Sequence, residues 1–182
     1  MSTEPKPTFL VINALANNRT SFVSDLTRIV ADSGCNIEDS RMLVLGETFA
    51  VIMLTSGKWN AVAKLETQLG TLAGESGVGI RAKRTTSKTT APDHLLPYSI
   101  DVVAMDQPGI VHRFARFFTQ RAIPVQEMMT HRYSAAHTAT PMISVHVNIG
   151  IPAATHLAAL RDEFLDFCDQ LNVDAIMEPI KP

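Results

Sequence analysis

Apolar residues recur along the chain in two rhythms, a strand period of two and a helix period near 3.6. "TFLVINAL" (8–15) is rich in apolar and β-branched residues and reads as a strand. The next stretch places Phe22, Leu26, Ile29 and Val30 at i, i+4, i+7 and i+8, the inward stripe of an amphipathic helix. A turn, "DSGCNI" (32–37), leads into two strand-like stretches, "NIEDSRMLVL" and "TFAVIMLT", joined by a short hairpin connection at Gly46–Glu47. A second helix follows, with Trp59, Val62, Leu65, Leu69 and Leu72 along one face, and "VGIRAK" (78–83) closes the series as a strand.

The same order then begins again. Displaced by 88 positions, Ile12 falls on Ile100, Ala16 on Ala104, Val23 on Val111 and Arg28 on Arg116. "YSIDVVAM" (98–105) precedes a helix striped by Ile110, Phe114, Phe117 and Phe118. After the turn "RAIPV" (121–125) come "VQEMMTHRY" and "PMISVHVNI", joined by the softer loop "SAAHTAT". Leu157, Leu160, Phe164, Phe167, Cys168 and Leu171 stripe a second helix, and "DAIMEPI" (174–180) ends the copy. Each half is therefore β-α-β-β-α-β, the order of the ferredoxin-like sandwich. The fold class is α+β: two such domains in tandem, 1–84 and 98–182, each a four-stranded antiparallel sheet with two helices on one face. Residues 85–97, polar and bracketed by proline, suit a linker. Ile100, Val102 and Ala104 alternate with Asp101, Val103 and Met105, so both faces of that strand are largely apolar. Such a sheet expects cover from another domain or subunit, as in a homo-oligomer.

Composition narrows the functions. With 46% hydrophobic residues the chain can bury a core, and a formal net charge of −2 argues against a general nucleic-acid binder. No helix-turn-helix, zinc finger or basic helix is visible. The two cysteines, Cys35 and Cys168, make no CxxC pair, which points to a reducing cytosolic compartment rather than a disulfide framework. The start lacks the basic and apolar regions of a signal peptide, and no apolar run is long enough to span a bilayer. The six histidines show no metal-ligand spacing, and neither Cys35 nor Ser21 has an orienting base at a recognisable distance. The reading is of a protein that is not an enzyme and carries no cofactor or metal. Arg81, Lys83, Arg84 and Lys88 make a modest basic run, read as solvated linker. "SGKW" (56–59) lacks the upstream glycine of a phosphate loop and reads as the start of a helix, with Trp59 packed on the sheet.

One turn differs between the copies in a way that carries chemistry. In the second copy the first strand ends in Asp106-Gln107-Pro108-Gly109. Asp106 suits an N-cap or turn, Pro108 the start of a helix, and Gly109 lets a ligand approach the backbone. Free amides at a helix N-terminus favour a carboxylate. The first copy has Asn18, Arg19, Thr20 and Ser21 at these positions, where Ser21 narrows the approach that Gly109 leaves open. Glu38, Asp39 and Arg41, at the start of a strand, read either as ligand or partner contacts or as an edge kept soluble by charge.

A β-α-β-β-α-β unit with D-x-P-G-(I/V)-V at its first strand–helix turn resembles the ACT domain, and the resemblance covers almost the whole chain as a tandem pair. It implies a regulatory module that binds small amino acids at this turn, against the second strand of a neighbouring copy. The matching residues are Asn18, Arg19, Thr20, Ser21, Asn36 and Ile37 in the first half. In the second they are Asp106, Gln107, Pro108, Gly109, Pro124 and Val125. A longer stretch, "GCNIEDSRMLVLGETFAVIMLTSGKWNA" (34–61), with "KRTT" (83–86), is similar to the glycine cleavage system transcriptional repressors. The first half departs from that family's D-R-P-G. The resemblance implies a cytosolic repressor that holds a LysR-type activator of the glycine cleavage operon and is relieved by glycine. A ligand-free interaction module and a regulatory subunit of a biosynthetic enzyme are the alternatives.

Overall fold

The computed structural model describes residues 6–17, 21–74, 77–86 and 94–180. The chain divides into two compact units, Met1–Thr89 and Thr90–Pro182. The first contains β1 (Thr8–Asn17), α1 (Phe22–Asp32), β2 (Asn36–Leu45), β3 (Thr48–Gly57), α2 (Trp59–Ala73) and β4 (Val78–Thr85). The second contains β5 (Leu95–Met105), α3 (Ile110–Gln120), β6 (Val125–Ser134), β7 (Pro141–Pro152), α4 (Leu157–Leu171) and β8 (Asp174–Pro179). Each unit has one sheet, ordered β2-β3-β1-β4 and β6-β7-β5-β8, and every pairing is antiparallel. These are two tandem ferredoxin-like units.

Alternation on the central strands decides which face the helices cover. Leu10, Ile12, Ala14 and Ala16 of β1 are buried with Phe22, Leu26 and Val30 of α1 and Val62, Leu65, Leu69 and Leu72 of α2. In the second unit Tyr98, Ile100, Val102 and Ala104 play the part of β1, and the whole predicted stripe of α3 is buried against them. That core is aromatic where the first is aliphatic. Phe114 meets Phe167 edge-on at 5.4 Å, and Phe117 meets Phe164 at 5.5 Å. Phe22 is the one aromatic side chain among the first unit's buried core residues. On the opposite sheet faces Leu15, Leu43 and Ile52 of one unit, and Val103, Met105, Met129 and Ile176 of the other, remain exposed.

The repeat persists in the backbone. Phe22–Asp32 and Ile110–Gln120 are 11-residue helices at the same displacement. Both sheets bulge at the matching place, between Ile37 and Asp39 and between Val125 and Glu127. Both helices end in the same paired hydrogen bonds. Gly34 N–H donates to Ala31 O and Cys35 N–H to Val30 O; Ala122 N–H donates to Thr119 O and Ile123 N–H to Phe118 O. The geometry needs a left-handed residue, supplied by Gly34 at φ 79° and by Ala122 at φ 53°. A Cβ opposes that conformation by about 1 kcal/mol. Ala122→Gly should therefore raise the stability of the second unit by about 1 kcal/mol, read as a higher urea midpoint.

Two expectations need correction. Trp59 does not pack beneath α2. It is 66% exposed, and the Arg84 guanidinium lies 5.4 Å from its ring. As the first residue of α2 it stands ahead of the buried stripe, which starts at Val62. Arg84 is not free in solvent either: it forks onto Glu66, with Nε 3.0 Å from Oε1 and Nη2 2.7 Å from Oε2. That hydrogen bond holds the Glu66 carboxyl below its usual range. Ser56 also belongs to β3 rather than to a helix start, and its hydroxyl bonds Glu38.

Candidate functional site

The turn between β5 and α3 is built from backbone constraints. Asp106 N–H donates to Pro141 O at 2.9 Å, which ties the end of β5 to β7. The Asp106 carboxylate does not cap the helix. Its Oδ2 lies 2.6 Å from Nε of Arg132, on β6, with Asp106 a quarter exposed. The N-cap is Gly109, at φ 85° and ψ 1°, and Pro108 lies outside the helix. Ile110 sets that start, because it opens the buried stripe and the chain must turn sharply just before it. Gly109 is thus favoured by its left-handed backbone, not by crowding. Nothing lies within 4 Å of where its Cβ would be, so the space in front of the turn is open. No side chain caps α3, and its first turn carries no acid. Gln107 O accepts from Ile110 N–H at 3.4 Å. The remaining first-turn amides and the helix dipole present a positive end suited to a carboxylate.

The matching place in the first unit differs in charge. Asn18, Arg19 and Thr20 lie outside the described residues. Ser21 is the N-cap of α1, in right-handed conformation and without a side-chain capping bond. Asp25 stands in the first turn of α1, paired with Arg28 at 3.2 Å; at the same displacement in α3 stands Arg113. The first turns of the two helices therefore differ in charge, an ion pair on α1 and, among the described residues, an unpaired cation on α3. Asp39 pairs with Arg41 at 2.6 Å along β2.

The other residues implied by the resemblance lie elsewhere. Asn36 and Ile37 are exposed at the start of β2, beyond the C-terminal end of α1, whereas Ser21 is at its N-terminal end. Pro124 and Val125 likewise follow α3 and Asp106–Gly109 precede it. Pro124 and Val125 border an open hollow of about 690 Å³ with Ala115, Thr119, Ile123 and Met128. A helix of 11 residues holds the two ends roughly 16 Å apart. One unit therefore does not bring the turn and the strand start together; a site that uses both needs two copies of the fold. Arg132, which holds Asp106, was not visible in the sequence. The signal for it is register: Arg132 pairs with Ile143, next to the Met142–Met105 pair that ends β5.

Other chemistry is structural. Among the described residues no group of three or more His, Cys, Asp or Glu side chains could hold a metal ion. His156 caps α4 by accepting from Ala159 N–H, and Nδ1 of His146 lies 2.7 Å from Asp101 across the open sheet face. Both thiols are buried; burial raises that of Cys35, and burial with the charge of Asp169 pushes that of Cys168 up to about 11. A neutral thiol is the stable folded form. Its contribution is present below the ordinary thiol range near 8.5 and is lost as pH climbs through about 11. The unfolding midpoint should thus fall between those limits, and a disulfide reagent at neutral pH should react slowly until denaturant is added. No described helix is long and apolar enough to cross a membrane.

Comparison with known proteins fits this architecture. A family model described as the ACT domain matches residues 8–83. The chain is 34% identical over 166 residues to a glycine cleavage system transcriptional repressor of Escherichia coli (strain K12), spanning 90% of this chain and 86% of that protein. The same figures hold for the protein of that name in Shigella flexneri. A crystal structure assigned as a glycine cleavage system transcriptional repressor superposes with TM-score 0.71 at 26% identity, over 97% of this chain and 99% of the other. A protein from Galdieria sulphuraria, 20% identical, has the same fold at TM-score 0.78 over 97% and 100% of the two chains.

Proposed function

Because the chain belongs to the family of glycine cleavage system transcriptional repressors, we propose that it is a cytosolic regulator that senses glycine and represses the glycine cleavage operon. It acts through a protein partner, a LysR-type activator, and has no DNA-reading element of its own. The observation that carries this reading is the near-full-length match, 90% of this chain against 86% of the named repressor. The turn at Asp106–Gly109 is the proposed receptor. Its amides receive the amino acid's carboxylate, and the start of β2 or β6 from another copy of the fold closes the site. Ligand binding changes partner affinity only if it favours one arrangement of the protein over another. A site shared between two copies meets that condition, since it exists only when they are correctly opposed.

The test joins two measurements on the full chain. Thermal unfolding is followed with a panel of free amino acids, because a ligand that binds the folded state alone raises the midpoint. A glycine cleavage promoter reporter is read in a host lacking its own repressor. A glycine-specific shift with glycine-relieved repression is the expected result. A shift with a different amino acid moves the pathway; the absence of both shift and repression overturns the proposal. The unequal turn of the first unit favours one second reading, a ligand-free interaction module. Repression with no shift at millimolar amino acid selects it.

A further inference from the structure

The repeat allows each helix to be compared with its own counterpart, and α3 departs from α1 in charge. On α1, Asp25 and Arg28 neutralise each other at 3.2 Å. At the same displacement α3 carries Arg113 and Arg116, both exposed, and neither lies within ion-pairing distance of an acid among the described residues. Like charges one turn apart oppose the helix that bears them. Where the first copy has Asp25, Arg113 leaves two guanidinium groups one turn apart, a place that receives an anion favourably. The same wall has Gln120 where α1 has Asp32.

These residues edge an open cleft of about 520 Å³ between α3 and α4. Its floor is apolar: the rings of Phe117 and Phe167 have centroids 4.7 Å apart. Arg121 is already committed, stacked 3.8 Å over Phe117 and paired with Glu163 at 2.8 Å. It closes the edge of the cleft and leaves Arg113 and Arg116 as the available cations. We propose that this cleft is the docking surface for an acidic segment of the protein partner, a reading that rests on the regulatory function proposed above. Two guanidinium groups one turn apart match two carboxylates at similar spacing, each able to accept paired hydrogen bonds. Phe167, half-buried in the floor, offers the contact for an apolar anchor from the same segment. Of the two acids in the lining, Glu163 is paired with Arg121, so Arg113 and Arg116 outnumber Asp166 and leave the cleft net positive. The open volume of about 520 Å³ exceeds what a free amino acid fills.

The experiment uses the full chain and a fluorescein-labelled peptide of Glu-Leu-Leu-Glu repeats, with a Lys-Leu-Leu-Lys peptide and a DNA duplex as controls. The acidic peptide should bind, with affinity falling as salt rises. Arg113→Glu with Arg116→Glu should weaken it at least about tenfold, as expected for lost charged hydrogen bonds. Arg116→Lys should restore part of the loss when compared with Arg116→Glu. Equal binding of the variant, equal binding of the basic peptide, or displacement by the duplex overturns the proposal. In the reporter host, Arg116→Glu should lose repression while keeping the wild-type response of its unfolding midpoint to glycine. Unimpaired repression by that variant overturns the cleft as the partner surface. Failure of the wild-type chain to repress overturns the regulatory reading instead, and the peptide titration then decides the cleft by itself.

Discussion

Phe114→Ala should bring the second unit close to unfolding and leave the first unaffected. Phe114 is fully buried, with Phe164 and Phe167 at 6.3 and 5.4 Å between ring centroids. Truncating a buried phenylalanine destabilises by about 3–5 kcal/mol, through lost apolar burial and the cavity left behind. Whole domains are stable by only about 5–15 kcal/mol. A unit of this size, with one aromatic cluster at its centre, is brought close to its unfolding point. The two cores share no residue, so the loss should stay in one unit. Amide hydrogen exchange checks this: protection should fall by two orders of magnitude or more, about 3 kcal/mol, on β5–β8 and persist on β1 and β3. Phe114→Leu, the residue the first copy has at Leu26, should be much milder. Uniform loss of protection in both units would show that they unfold as one.

The helix faces and strand order were legible in the sequence because burial imposes a period. Every residue of the stripe Ile110, Phe114, Phe117 and Phe118 is buried, and no tertiary knowledge was needed to place it. The chain ends of elements were less legible. Pro97 read as linker, yet it lies in β5, where its carbonyl accepts from Ile180 N–H and its missing N–H is not needed for that bond. Trp59 read as core because one turn of a helix carries no information about where the sheet beneath it ends. At the candidate site, the sequence showed a glycine but not its φ. It showed Asp106 but not its bond to Arg132, which depends on how β6 and β7 align. Residues meeting through strand register leave no local pattern.

Gly109→Asn should abolish most of the response to amino acid with little change in stability. Asparagine tolerates the left-handed backbone that Gly109 adopts at φ 85°. Its side chain would project into space that is empty to 4 Å and place an amide where the ligand's carboxylate belongs. The fold should therefore survive, while affinity for glycine falls tenfold or more, about 1.4 kcal/mol. Isothermal titration and the unfolding midpoint separate the two effects. A valine would not: a β-branched residue at that φ adds strain of roughly 1–2 kcal/mol, and a weakened response could then reflect a damaged turn. If Gly109→Asn binds glycine as the wild type does, the turn is not the receptor. Ser21, behind the Asp25 carboxylate, should tolerate Ser21→Gly with no gain in affinity.

The sheet order β2-β3-β1-β4 has a consequence for synthesis on the ribosome. β1 sits between β3 and β4, so the first strand made is completed by the last strand of its own unit. Until Thr85 has emerged, Leu10, Ile12 and Ala14 have one flank open, and the nascent chain carries an unfinished edge. Once β4 has paired, every strand of that unit has its partners before β5 is free to pair. The first unit can then fold alone during the seconds in which the second is translated. A slow stretch of translation once β4 has cleared the ribosome would favour correct folding. A stall just before then would hold the chain in its most aggregation-prone form.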